Sequence, residues 1–292
     1  MSVSSRHIVH QAPVIAALGR SVIGAAVRRL RKDKGEIPAL PGPELVHAVS
    51  PRPKALVRDY IRHVGGDPSA YRGTLPAHLF PQWSFALATR VLEGLPYPLE
   101  RVLNAGCRMD IRAPLAADQS LTVRVRLESI DDDGRRALLC TRVVTGTADE
   151  PDALVAHLYA LVPLARGSGS KKESARVPDD ARELAYFRIG ADAGLSFAKL
   201  TGDFNPVHWV PAYARAFGFP ACILHGFSTM ARAIEGLNRG LFSGNVQALS
   251  MIDVRFTRPL VLPASVGLYV KSDEVFVGDA PGARAYLTGR FS

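Results

Sequence analysis

Apolar residues recur at helical spacing between positions 227 and 239, where Phe227, Met230, Ala231, Ile234 and Leu237 fall on one face of a 3.6-residue period. The pattern predicts a long helix there. A shorter helix is predicted over 193–201, with Asp192 as its N-cap and Gly202 as a left-handed stop. A brief third helix is expected to start at Pro211 and close at Gly218. Period-2 alternation predicts strands over 249–256, 265–272 and 286–291, and an earlier set over 121–130, 137–145 and 154–164. Asp131, Asp132, Asp133 and Gly134 mark a hairpin turn within the earlier set. Helices wrapped by antiparallel strands define an α+β arrangement.

The chain also repeats itself. The run from Tyr60 to Asp67 parallels that from Phe197 to Asp203, the run from Ala88 to Leu95 parallels Met230 to Leu237, and Met109 to Leu115 parallels Val254 to Leu260. The offset grows from 136 through 142 to 145 residues, as a duplicated unit with loop insertions requires. Two copies are too few for a solenoid and imply a fused pair of similar domains. Between them, 166–178 is rich in Gly, Ser and charge and reads as a linker. The expected organisation is therefore an N-terminal arm over 1–39, a first unit over 40–165, that linker, and a second unit over 179–292.

At 292 residues and 47% hydrophobic, the chain can bury a full core. Its formal charge of +9 is concentrated in the arm, where seven Lys/Arg face only Asp33 over residues 1–34. A nucleic-acid footprint would instead be a basic face on the folded body, so no nucleic-acid partner is expected. In the arm, Ile15, Leu18, Val22, Ile23, Ala26 and Leu30 share one side of a helical wheel. That helix either packs on the domain or makes peripheral contact with an anionic membrane surface. Cys107, Cys140 and Cys222 show neither disulfide nor zinc spacing, so a reducing, cytoplasmic compartment is expected, with a mitochondrial presequence as the alternative reading of the Arg-containing start.

The candidate chemistry lies at Thr201, Gly202, Asp203, Phe204, Asn205, Pro206, Val207 and His208, followed by a turn from Pro220 to His225 and Gly226. Five fixed residue types at this spacing arise by chance about once in 10⁴ chains of this length. Asp203 follows a helix C-terminus, where the macrodipole disfavours its charge and raises its pKa toward that of a useful base. His208 titrates near neutrality. The Asn205–Pro206 turn lets the two converge, while the Asn205 amide supports them by holding a water or orienting the base. Gly226 starts the long helix, whose first N–H groups lack partners and can form an oxyanion hole for a carbonyl. His225 either orients Gly226 or fills space. Arg255 and Arg258 read as solvated strand-end cations, with contact to a CoA phosphate as the alternative, and Trp83 and His78 as packing for the first unit.

These residues resemble the MaoC-like, or hydratase 2, family of hotdog-fold proteins, and the duplication resembles its two-hotdog members over about 40–292. The resemblance implies a double hotdog: an N-terminal unit that has lost the motif and a catalytic C-terminal MaoC-like unit. It further implies a hydro-lyase of fatty-acid metabolism, an (R)-specific enoyl-CoA hydratase or 3-hydroxyacyl-thioester dehydratase. In that scheme Asp203 and His208 activate water, Asn205 supports them and the Gly226 N–H holds the thioester carbonyl. The substrate is an acyl-CoA or acyl carrier protein thioester, with no cofactor and no metal. Single-hotdog members often carry Ser near position 234, where this chain has Ile234, so the substrate class stays open. In the first unit only Asp67 is kept, with Ser69 and Arg72 at the positions of Asn205 and His208. One site per chain follows, in a monomeric pseudo-dimer or a homodimer. Two other functions fit the fold: a hotdog thioesterase, and a noncatalytic acyl-thioester binding module. A metal hydrolase using Asp203, His208 and His225 has less support, since no further ligand cluster is apparent.

Overall fold

The computed structural model describes residues 3–17, 19–20, 35–164 and 174–292. The first unit runs β1 (Leu45–Val49), α1 (Lys54–His63), β2 (Thr74–Leu75), α2 (Pro81–Arg90), β3 (Leu103–Ile111), β4 (Leu115–Ala116), β5 (Leu121–Asp132), β6 (Arg136–Gly146) and β7 (Leu154–Pro163). The second runs β8 (Arg182–Ile189), α3 (Ala193–Thr201), α4 (Pro211–Ala216), α5 (Gly226–Gly240), β9 (Met251–Phe256), β10 (Ala264–Lys271), β11 (Glu274–Gly278) and β12 (Ala285–Phe291).

Ten strands form one antiparallel sheet in the order β1-β5-β6-β7-β3-β9-β12-β11-β10-β8, and β2 and β4 make a separate pair. Read outward from the centre, the first unit contributes its second long strand innermost and its first strand at the edge, and the second unit does the same. The central ladder carries the repeat in its register. Met109 pairs with Ile252 and Cys107 with Val254, and shifting each partner by the 145-residue offset converts one pair into the other. The duplicated sequence thus produces a pseudo-twofold double hotdog whose two halves meet at β3 and β9.

Strands with clean alternation are where the sequence places them. In β5, Leu121, Val123, Val125 and Leu127 enter the core while Thr122, Arg124 and Arg126 face outward. The helices over 193–201 and from Pro211 also match, and Gly202 and Gly218 both have φ +87°. Four strands of the large sheet escape the pattern for identifiable reasons. Edge strands β1 and β8 are largely solvated and lack an apolar face, and β11 is buried along most of its short length, so it does not alternate. β3 lies before Pro114 rather than across it, since a proline cannot donate to a central ladder. The repeat's helix is shorter in the first unit: α2 ends at Arg90, whereas α5 continues to Gly240.

One boundary expected from composition needs correction. Within 166–178, residues 166–173 lie outside the described residues, but Val177 is buried, its N–H bonds Ala283 O at 2.9 Å, and Arg176 bridges Arg284. The chain from 176 onward is therefore part of the second unit's packing. The arm also packs. His7, Gln11, Val14 and Ala17 are buried, while Ile15, expected on the apolar face, is 41% exposed; Leu18, Val22, Ile23, Ala26 and Leu30 lie outside the described residues. No helix among the described residues is long and apolar enough to cross a membrane.

One apolar core spans both units, joining Leu56, Tyr60, Phe80 and Met109 to Phe197, Phe227, Met230 and Val254. A polar network crosses it. Glu235 of α5 is 2% exposed and its Oε1 accepts from Tyr71 OH at 2.7 Å and meets His78 Nε2 at 3.1 Å. Asn238 Nδ2 donates to the other oxygen at 3.4 Å, and Tyr60 OH reaches His78 Nδ1 at 3.0 Å. His78 is thus an inter-unit connector rather than simple packing. Burial pushes the Glu235 carboxyl up, but the bonds from His78, Tyr71 and Asn238 outweigh it and hold the pKa below its ordinary value. Gly66 leaves the room the carboxylate occupies, since any Cβ there would collide with it.

Breaking a buried pair leaves an uncompensated charge, at a cost of about 3 to 5 kcal/mol. His78→Ala should lower unfolding free energy by that amount in urea denaturation. Pairing His78→Phe with Glu235→Leu should recover much of the loss, because no unpaired charge then remains.

Candidate functional site

The site is assembled by three local devices. At the end of α3, Gly202 adopts its left-handed conformation and turns the chain so that Asp203 leaves the helix axis. Asn205 then N-caps the turn Pro206–His208, its Oδ1 accepting from Val207 N at 3.2 Å. Finally, the turn is pressed onto α3 at Gly194, where a Cβ would overlap the His208 carbonyl. Asn205 therefore acts through the backbone. Its side-chain oxygen caps the turn that presents His208, and the residue itself is exposed.

His208 Nδ1 faces the Ile223 carbonyl at 2.8 Å. A carbonyl only accepts, so Nδ1 carries the proton and Nε2 the lone pair. His225, the N-cap residue of α5, is 1% exposed and its Nε2 donates to the Asp203 carbonyl at 2.9 Å. Its ring stacks on His208 with centroids 3.6 Å apart and 27° between planes. Its Nε2 lies 3.9 Å from Asp203 Oδ2, and the Asp203 side chain keeps 17% exposure, enough for water to reach it. His225 thus orders both halves of the pair, through the Asp203 backbone and the His208 ring. Its place just before Gly226 was the sequence signal, but the stacking came from the fold.

Burial raises the pKa of Asp203 above the ordinary carboxylate range, opposed by the nearby His208 and the Asn205 N–H. Burial lowers that of His208, opposed by Asp203. His225 is pushed well down, first by burial and then by His208. The site therefore favours a neutral imidazole beside a carboxyl that gains a proton readily. The first unit supplies a contrast at the matching position. Asp67 Oδ1 accepts from Ser69 N at 2.9 Å and from Ser69 Oγ at 2.8 Å, and these bonds hold its pKa below the ordinary value. Asp203 receives only a 3.3 Å bond from Asn205 N.

Gly226 opens α5, and its N–H has no partner among the described residues, whereas Ser228 N and Thr229 N return to His225 O. A Cβ at Gly226 would stand 2.7 Å from the Phe256 ring, so glycine is required where the helix end meets β9. Arg255 and Arg258 are not simply solvated. They lie over the rings of Tyr159 and Tyr286 at 4.2 and 4.8 Å, and Arg255 also pairs with Asp253.

Asp203, His208 and His225 offer potential metal-ligand atoms within 4.8 Å of one another. The proton on His225 Nε2 is committed to a carbonyl, so a carboxylate oxygen, His208 Nε2 and the unpartnered His225 Nδ1 remain, short of a closed four-ligand shell. The donor set suits acid–base work. A cavity of about 150 Å³ sits elsewhere, beside Tyr71, His78, Met109, Ile234 and Asn238 at the junction of the units; none of the site residues lines it.

A double hotdog with a carboxyl–imidazole pair against a free helix N-terminus is the class that fold and site define. Residues 178–282 match the family model of the MaoC-like domain. Two curated relatives come from Mycobacterium tuberculosis. Enoyl-CoA hydratase ChsH3 is 30% identical over 169 residues, covering 56% of this chain and 58% of the relative. 3-Hydroxyacyl-thioester dehydratase X is 32% identical over 160 residues, covering 54% and 55%. The chain thus spans just over half the length of the curated relatives it matches. Among solved structures, HtdX of the same organism superposes with a TM-score of 0.69 at 21% identity, covering 85% of this chain and 99% of that one.

Behind the site, His63 lies near Phe197, its ring centroid 6.3 Å away, and Arg232 adds a like charge. Burial first, then Arg232, depress its pKa to about 3. In the unfolded chain the same imidazole titrates near about 6.5. Between these values the unfolded state binds the extra proton, so stability rises with pH through this window and is lost as pH falls through it. His63→Gln should flatten the dependence of urea-unfolding free energy on pH between about 3 and 6.5.

Proposed function

We propose that the second unit adds water across the double bond of a trans-2-enoyl thioester to give the (R)-3-hydroxyacyl thioester, and runs the reverse dehydration. One observation carries this reading: Asp203 and His208 converge, with opposite pKa shifts, beside the unpartnered Gly226 N–H. The two relatives from Mycobacterium tuberculosis, named as a hydratase and a dehydratase, support it.

In the proposed reaction the thioester carbonyl accepts from the Gly226 N–H, which stabilises the enolate oxygen that forms when the double bond is attacked. A water held between Asp203 and His208 Nε2 bonds to C3 through its oxygen and gives its proton to the pair. The C2=C3 electrons move onto C2 and the carbonyl. The pair then delivers the same proton to C2 on the same face, which accounts for syn addition and leaves Asp203 and His208 as they began. The raised pKa of Asp203 makes the protonated carboxyl accessible for that transfer.

Catalysis is assigned to 179–292. The unit over 40–165, with Ser69 and Arg72 in place of the set, completes the sheet and walls the acyl chain. The thioester carrier is CoA or acyl carrier protein, and the proposed compartment is the cytoplasm.

With trans-2-enoyl-CoA, loss of the conjugated enoyl-thioester absorbance is expected. Asp203→Asn and His208→Gln should each cut kcat/KM by about 10²- to 10⁴-fold and leave the far-UV spectrum unchanged. Full turnover in both variants would remove the mechanism, and release of free thiol instead of hydration would favour a thioesterase. Because the base form of Asp203 is lost as pH falls through a raised pKa, the acid limb of kcat/KM should lie above the ordinary carboxylate range and disappear in Asp203→Asn.

A further inference from the structure

The N-terminal segment lies outside the matched MaoC-like stretch, yet it reaches the site helix. Gln11 is fully buried, and its amide nitrogen donates to Lys199 O at 3.2 Å and Leu200 O at 3.1 Å, two of the last carbonyls of α3. Its own oxygen accepts from Gln82 Nε2 on α2 at 3.2 Å, so the contact reaches both units. Val14 lies directly against the turn that delivers Asp203: a Cβ on Gly202 would stand 2.8 Å from Val14 Cβ. Two further contacts hold the segment down. His7 Nε2 meets Asp59 Oδ2 at 2.8 Å on α1, and Lys199 Nζ donates to Val3 O at 3.2 Å. The four buried positions His7, Gln11, Val14 and Ala17 form one stripe, and each that makes a polar or steric contact here does so with α1, α2, α3 or the turn after α3.

We propose that the buried stripe His7, Gln11, Val14 and Ala17 is a positioning element for the catalytic carboxylate, with Gln11 as the positioning residue and Val14 fixing the Gly202 turn. The role of that carboxylate rests on the hydratase reading above. The terminal carbonyls of α3 carry partial negative charge and point toward the stretch where Asp203 must ionise. The Gln11 amide dipole offsets that charge, and without it the carboxylate form is further disfavoured. Meanwhile Val14 occupies the volume into which the turn would otherwise relax, so the Asp203 backbone carbonyl stays in reach of His225 Nε2. The titratable groups facing Asp203 are His208 from the Pro206–His208 turn and His225 from the head of α5. His63 stands behind His225, and Lys199, His7 and Asp59 line the outer side of the segment.

The test uses full-length Gln11→Met and Val14→Ala, with Val9→Ala, 71% exposed, as a control in the same segment. For Gln11→Met, kcat on trans-2-enoyl-CoA should fall about tenfold with KM within about twofold, since geometry at the reacting centre changes while substrate contacts do not. Its acid limb should move upward by about half a pH unit. Val14→Ala should lower kcat similarly, and Val9→Ala should match the unmodified protein. The decisive measurement is the titration of the Asp203 side-chain carboxyl by carbon-13 NMR, which needs no turnover. An upward midpoint shift in Gln11→Met supports the proposal. A midpoint and a kcat per folded molecule equal to the unmodified protein's, with only a lower melting temperature, would reduce the segment to a structural strap and overturn it. If the unmodified protein hydrates no enoyl thioester, the hydratase reading fails, and the carboxyl titration still decides whether Gln11 tunes Asp203.

Discussion

The ladder between β3 and β9 is the constraint on which the other arrangements rest. By pairing Met109 with Ile252 and Cys107 with Val254, it joins two five-strand halves into one sheet and forces their helices into one core. Neither half then has to cover its own apolar face alone, and α5 is gripped by side chains of both units. The Glu235 network and the seating of α3 against α1 are consequences of that shared interior. A carboxyl at a helix end is mobile in principle. Here it is attached to a helix held between two domains.

The polar pair depends on backbone more than on side-chain contacts. His208 is oriented by the Ile223 carbonyl, Asp203 is held through its own carbonyl by His225, and the turn between them is capped by Asn205 and set against Gly194. Each of these hydrogen bonds thus has a main-chain group on one side. This leaves the carboxylate oxygens and His208 Nε2 comparatively free, which is what a site needs when its working groups must exchange protons rather than be satisfied by the protein.

Much of this was legible in the chain. The duplication, the α3 boundaries, Gly202 and the Asp203 to His208 run are local signals, because each follows from caps, left-handed glycines or repeated order. Three kinds of residue were not legible. Gly194 matters because of a carbonyl 14 positions away that only the folded turn brings near. Gln11 and Val14 act on a helix more than 180 residues distant, with no periodic signal linking them. Edge strands β1 and β8 lack an apolar face, and the arm's expected stripe through Ile15 was displaced by one through Val14. Long-range packing chose which face of a short segment was buried, and local propensity had no say in it.

The two aspartates at equivalent positions have a consequence for how such a fold gains or loses chemistry. In the first unit Ser69 supplies both a backbone and a side-chain donor, and Asp67 is spent on making its own turn. In the second, the asparagine two residues on caps the next turn, and the aspartate keeps only one longer backbone bond, with no hydroxyl donor beside it. Retiring a site in this fold therefore does not require losing its acid. It is enough to employ the acid as masonry, and a silent copy that still carries its aspartate can be further from activity than its sequence suggests.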